Sequence, residues 1–216
     1  MRLIQELQTR ALRFINPTDA RKSFAPDVVA AIRDRYRFWE YPTKPSEFNL
    51  DDAGGAFSVG LFDGNTIEAL RLFRTCAIAE GTCNTSMLDR FLDDLFAMAQ
   101  TDLGLDLECS SPVSRAYLSA VEIELAPSLA QSLNVAARVG ETLHRHVAAL
   151  GFSTSAFELS GFALQADPLK STPLRPSKFL FERRADRPFE SNIFYSEAPL
   201  PTDQHLEVLQ EMENLF

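Results

Sequence analysis

The sequence predicts an α+β fold, a mixed or largely antiparallel sheet packed with helices in a single layer-type domain with an N-terminal helical arm. Two observations carry that expectation. Stretches with apolar residues at helical spacing are interleaved with short alternating or aromatic runs, in the order helix, helix, strand, strand, helix, strand, helix, two or three strands, helix. Some neighbouring strands are joined by hairpin-type connections and others are separated by helices, a mixture that suits an antiparallel or mixed sheet. No internal repeat, low-complexity tract or long flexible linker breaks the chain, so residues 1–45 are expected as the arm and residues 46–216 as one domain ending in a docking helix.

In the arm, Leu3, Ile4, Leu7, Ala11 and Phe14 form an amphipathic pattern among arginines, which predicts an N-terminal helix. Pro26 suits a first helical position, and Val29, Ile32 and Tyr36 recur on one face until Pro42 and Pro45 forbid continuation past Trp39. From Phe57 the pattern alternates through Val59 and Leu61, reaches Asp63-Gly64, and resumes from Ile67 to Ile78, which predicts a hairpin. Ile67, Leu70, Phe73 and Ala77 also match helical spacing, so the second arm is the less secure strand. Ser86 and Asp89 resemble a capping box ahead of Leu88, Leu92, Leu95, Ala99 and Leu103, with Gly104 ending that helix. Residues Tyr117 to Leu125 alternate as a strand whose late part is expected half exposed. Pro127 then opens a helix striped by Leu129, Leu133, Ala136, Leu143, Val147 and Leu150 and closed by Gly151. Phe157 to Ala166, Lys178 to Arg184 and Ser191 to Ser196 are expected as strands, and Pro201-Thr202-Asp203 starts the last helix.

Composition narrows the classes. With 216 residues, 45% of them apolar, the chain has ample core material and needs no staples. Cys76, Cys83 and Cys109 are odd in number and lack C-x-x-C spacing, which suits free thiols in a reducing compartment. No run reaches the ~18 apolar residues of a membrane span, and the N-terminus lacks a secretory stretch, so a cytoplasmic protein is expected. Arg2, Arg10, Arg13, Arg21 and Lys22 would suit a transit peptide, but Glu6, Asp19 and the late first serine, Ser23, favour an ordinary helix. Asn84-Thr85-Ser86 is taken as a helix start rather than a glycosylation site. The net charge is −9 and uneven: residues 1–45 hold nine basic and five acidic groups, whereas residues 46–170 hold seven and seventeen. An acidic body of this kind disfavours general nucleic-acid binding.

Chemistry-bearing clusters are few. His144 and His146, two apart on a helix, point to opposite sides and do not chelate one ion; His205 is expected at the surface. Asp89, Asp93 and Asp94 lie in the first turns of a helix, where acids complement the dipole; Asp51, Asp52, Asp89 and Asp93 with Arg183 or Arg184 would alternatively build a metal-dependent phosphohydrolase or nuclease. No phosphate loop, no Gly-x-Ser-x-Gly elbow and no cysteine–histidine pairing of diagnostic spacing is present, and no cofactor or metal is implied. Arg183, Arg184 and Arg187, at the end of an aromatic strand, form a candidate anion-binding group, provided that a concave site lies beside them. Tyr36, Phe38, Trp39 and Tyr41 crowd four aromatics into six residues, more than one core face accepts, and form a candidate interface. The favoured expectation is therefore a non-enzymatic interaction or assembly subunit of an intracellular complex, with a protein partner or self-association; the hydrolase and the anion binder are the alternatives.

Overall fold

Arg2–Phe14 is a β-strand, β1, and not the helix that its Leu3–Leu7–Ala11–Phe14 spacing suggests. Thr9 and Ala11 are buried two apart, and residues Thr9–Phe14 pair antiparallel with Gly81–Cys76, so a long-range ladder overrides the local helical pattern. The N-terminal helical arm is thus corrected to a strand followed by one helix, α1 (Pro26–Tyr36). A computed structural model describes residues 1–15, 26–51, 54–105, 114–125, 137–151, 157–170 and 175–214. The chain divides into two units, one of Glu6–Ala120 with Pro199–Asp203, the other of Met1–Gln5, Val121–Ala198 and Gln204–Phe216. Each is an antiparallel sheet packed with helices.

In the Glu6–Ala120 unit, the strands lie in the order β2 (Phe48–Asn49), β3 (Gly54–Phe62), β4 (Asn65–Leu72), β5 (Cys76–Gly81), β1 and β6 (Arg115–Glu124). The β3–β4 hairpin turns at Asp63-Gly64, both with positive φ (47° and 78°), as a two-residue turn of right-handed twist demands. α1 ends at Tyr36 because Arg37 turns left-handed (φ 54°), and the Phe38 amide then donates to the Arg33 carbonyl at 3.2 Å, closing the helix end. Helix α2 (Thr85–Thr101) is capped by Asn84, whose side chain accepts from the Ser86 amide at 2.9 Å; the cap expected at Ser86 lies two residues too late. The amides of Thr85 and Thr202 each donate to the other's hydroxyl, at 3.1 and 2.8 Å, which satisfies two further helix-start donors. α2 buries Leu88, Phe91, Leu92 and Leu95 against α1 and the sheet, and Tyr36, Phe38, Phe62 and Phe91 form one edge-to-face cluster, joined by Phe57 through a tilted contact with Phe38, with centroids 4.9–6.5 Å apart.

Strand β3 departs from simple alternation. Phe57 is buried, as expected, but Val59 and Leu61 are exposed, whereas Gly60 is buried and Phe62 packs on the core. Val59 adopts a left-handed backbone (φ 56°), which exchanges the two faces of the strand at that point. Opposite it, Ile67 and Leu70 are both buried although three residues apart, so β4 changes phase as well. This explains why β4 matched a helical spacing in the sequence. A Cβ on Gly60 would stand 2.5 Å from the Phe38 ring, so the reversed phase also requires a glycine there.

The Val121–Ala198 unit orders β6, β9 (Ile193–Ala198), β8 (Phe179–Arg183) and β7 (Gly161–Leu164), with α3 (Ala137–Ala149) and α4 (Thr202–Asn214). Val121, Ile123, Phe181, Phe194 and Leu209 make its core, with Phe181 and Phe194 stacked at 4.7 Å. The late part of β6 is buried, Glu122 included, and not half exposed. The helix expected from Pro127 is described from Ala137 on; its first part lies outside the described residues.

A left-handed valine is strained, and glycine adopts the same conformation freely. Val59→Gly is therefore expected to raise the unfolding free energy read from urea denaturation by about 0.5–1 kcal/mol once glycine's greater freedom in the unfolded chain is counted; a lower value would show that the Val59 side chain contributes more than the strain costs.

Candidate functional site

The aromatic segment separates into inward and outward members. Tyr36 and Phe38 are buried at 1% and 3% exposure. The Tyr36 hydroxyl donates to Asp94 at 2.7 Å, and burial, then that bond, raise its pKa far above the ordinary tyrosine value. Arg35 grips the same carboxylate with two bonds of 2.8 and 2.6 Å, which lowers the Asp94 pKa and fixes the end of α1 to α2. Tyr41 is half-buried under the Arg33 guanidinium, 5.1 Å from its ring centroid. Trp39 remains, 82% exposed. Its amide donates to the Val59 carbonyl at 3.1 Å, and Glu40 pairs with Ser58, so residues 39–40 extend the edge of β3. Trp39 therefore stands next to Val59, 55% exposed, with Leu61, 46% exposed, two residues along the same strand. The alternation through Phe57, Val59 and Leu61 puts the three on one face of a regular strand; Phe57 and Phe62, five apart in one strand, are the signal that the faces exchange between them.

Among the described residues, the carboxylates of the hydrolase alternative are each held by arginine. Asp89 accepts from the Tyr117 hydroxyl at 2.8 Å and lies 3.5 and 3.6 Å from Arg13 and Arg115. Asp93 is 2.7 Å from Arg13 and 3.8 Å from Arg115. Asp51 is paired with Arg74, whose bonds hold its pKa below the usual range, and Asp52 lies outside the described residues. Among the described residues, no three His, Cys, Asp or Glu side chains are grouped to hold a metal ion. On α3, His144 is half-buried and His146 exposed.

Arg183 and Arg184, at the end of β8, border a concave site of about 710 Å³, lined also by Glu182, Asp186, Phe189 and Tyr195. Arg183 does not face into it as a free cation. Its side chain is 7% exposed, donates to the carbonyls of Phe189 (2.8 Å) and Leu159 (3.4 Å), and lies over the rings of Phe189 and Phe194 at 4.5 and 5.2 Å. Arg184 is shared between Asp186 (3.2 Å) and the buried Glu122 (3.5 Å), a carboxylate that also accepts from Gln5 at 3.2 Å. Arg187 is exposed. Tyr195 donates to Glu197 at 2.9 Å, and burial, then that bond, raise its pKa to about 12.

His205, expected at the surface, is fully buried. Its Nε2 lies 2.9 Å from Ser196 Oγ, and the Ser196 hydroxyl donates to the Leu180 carbonyl at 3.0 Å. The serine oxygen therefore accepts from an Nε2–H tautomer, and its proton is directed away from the ring, opposite to what a nucleophilic pair requires. Lone placement near a helix start gave no signal of burial.

Comparison with protein-family models and with curated proteins finds no match for this sequence.

Burial lowers the His205 pKa to about 4 from an ordinary 6.5. The unfolded chain then binds a proton at this residue more tightly than the folded one, so the stability it contributes is complete above pH 6.5 and is lost as the pH falls toward 4. His205→Gln, measured beside the parent by chemical unfolding at pH 7, 5.5 and 4.5, is expected to flatten that part of the profile; identical slopes would place the acid sensitivity elsewhere.

Proposed function

We propose that the chain is a non-enzymatic interaction subunit of an intracellular complex, and that Trp39 with Val59 and Leu61 is its contact patch. The observation that carries this reading is the 82% exposure of Trp39 beside a valine that a strained backbone holds outward. Isolated surface apolar residues are ordinary, but tryptophan is the side chain most enriched at binding hot spots, and a group of three along one sheet edge offers the centre such an interface needs. The half-buried thiols of Cys76 and Cys83, both free, suit a reducing compartment, and burial pushes the Cys83 thiol up to about 11. Among the described residues no helix is long and apolar enough to cross a membrane.

The alternatives receive less support. A hydrolase needs carboxylates free to hold metal, whereas Asp51 is engaged by Arg74, and Asp89 and Asp93 share Arg13 and Arg115. An anion binder has its concave site, but Arg183 is consumed internally and Glu182 and Asp186 offset the charge of the lining arginines.

The test is purification from native cells with the parent chain and with Trp39→Ala, in parallel. A protein that co-purifies in stoichiometric amount with the parent and is lost with Trp39→Ala, at unchanged melting temperature, is the expected result. The affinity loss measured with the isolated partner should be roughly 30-fold, the scale of a 2 kcal/mol hot spot. Equal recovery with both chains would remove the patch from the interface.

A further inference from the structure

The Glu6–Ala120 unit contains an apolar cavity of about 90 Å³ between α1, α2 and the β4–β5 side of the sheet. Ile32, Leu95 and Ala99 from the helices and Leu72 and Ala77 from the strands form its walls. Among the described residues, every lining side chain is apolar or sulfur-bearing, the sulfurs being those of Cys76 and Met98. Burial pushes the Cys76 thiol up, so that it faces the space as a neutral group.

Such a space is unfavourable when empty, because each wall atom forfeits dispersion contacts on one side. Water does not restore them, since a stable buried water needs two to four polar partners and the described lining side chains supply none. Ile15, Leu50, Phe73, Phe96, Leu103 and Leu105 line the cavity while only half-buried, so among the described residues its outer side is an apolar mouth in place of a polar rim. A polypeptide segment is a poor occupant, since its amides and carbonyls would find no hydrogen-bond partner. An apolar cavity of about 150 Å³, engineered in another protein, takes up benzene, so a hydrocarbon group no larger than benzene suits the chemistry of this smaller one, about 90 Å³.

We infer that this cavity is a binding site for a small hydrocarbon group, either a wholly apolar molecule or the alkyl end of an amphiphile whose polar end stays at the mouth. The inference stands apart from the Trp39 patch and survives its failure.

Benzene and hexanoate are the probes, titrated separately into the full-length chain while the methyl resonances of Ala77, Ala99, Leu95 and Met98 are followed by NMR. Saturable shifts confined to these methyls are expected. Response to benzene alone identifies a wholly apolar ligand, and response to hexanoate identifies an alkyl tail with a polar end. Ala99→Leu, which fills the space from α2, should weaken binding at least about tenfold while leaving the rest of the spectrum folded. Ala77→Val does the same from β5 and serves if Ala99→Leu does not fold. Absence of a saturable shift with both probes, or affinity unchanged in the folded filled variants, overturns the assignment.

Discussion

Phe57 and Phe62 reach the same aromatic core although five residues separate them on one strand, and an unbroken strand would send them to opposite faces. The left-handed backbone at Val59 reconciles the two. Without that reversal, either Phe57 or Phe62 would leave the cluster built on Tyr36, Phe38 and Phe91, and burying a phenylalanine contributes about 1.5–3 kcal/mol. The strain at one residue, on the order of 1–2 kcal/mol, is smaller than the burial it permits. The same reversal seats Gly60 under the Phe38 ring and turns Val59 and Leu61 outward. Core and exposed patch are therefore two results of one backbone conformation.

Ionic groups in both units serve mainly to hold elements in place. Asp94 joins the Tyr36 hydroxyl to both arms of Arg35, so that the last turn of α1 is tied to α2 by charge-assisted bonds as well as by ring packing. In the Val121–Ala198 unit, Arg183 lies over two phenylalanine rings and donates to two backbone carbonyls. An arginine in that setting loses its hydration, but its planar face and fixed donors replace most of it. This is why a strand-end arginine beside a concavity, which looks like an anion receptor in sequence, is here part of the wall.

Much of the secondary structure was legible because its signals were local. Pro26, the Val29–Ile32–Tyr36 face, the Asp63-Gly64 turn and the Leu88–Leu95–Ala99 stripe each rest on residues close in sequence, and each corresponds to an element of the fold. The failures share the opposite property. β1 follows from pairing with a strand some 70 positions away, which its own spacing does not encode. The burial of His205 depends on Ser196 and on the ring of Phe179, 6.0 Å away, and that of Glu122 on Gln5 and Arg184. For the exposed aromatic the sequence was half informative: four aromatics in six residues announced that one core face was too small for all, but which of them faced outward was not encoded there.

A valine where glycine would be relaxed is a local rule broken without any gain to the core, since the Val59 side chain is itself exposed. Glycine at this position would keep the phase reversal, the Phe57–Phe62 convergence and the Phe38–Gly60 contact, because all of them depend on φ and not on the side chain. Folding alone therefore accounts for the left-handed backbone but not for the valine. What the valine adds is apolar surface beside Trp39, and rules broken in this way gather where a surface is used rather than where a chain is packed.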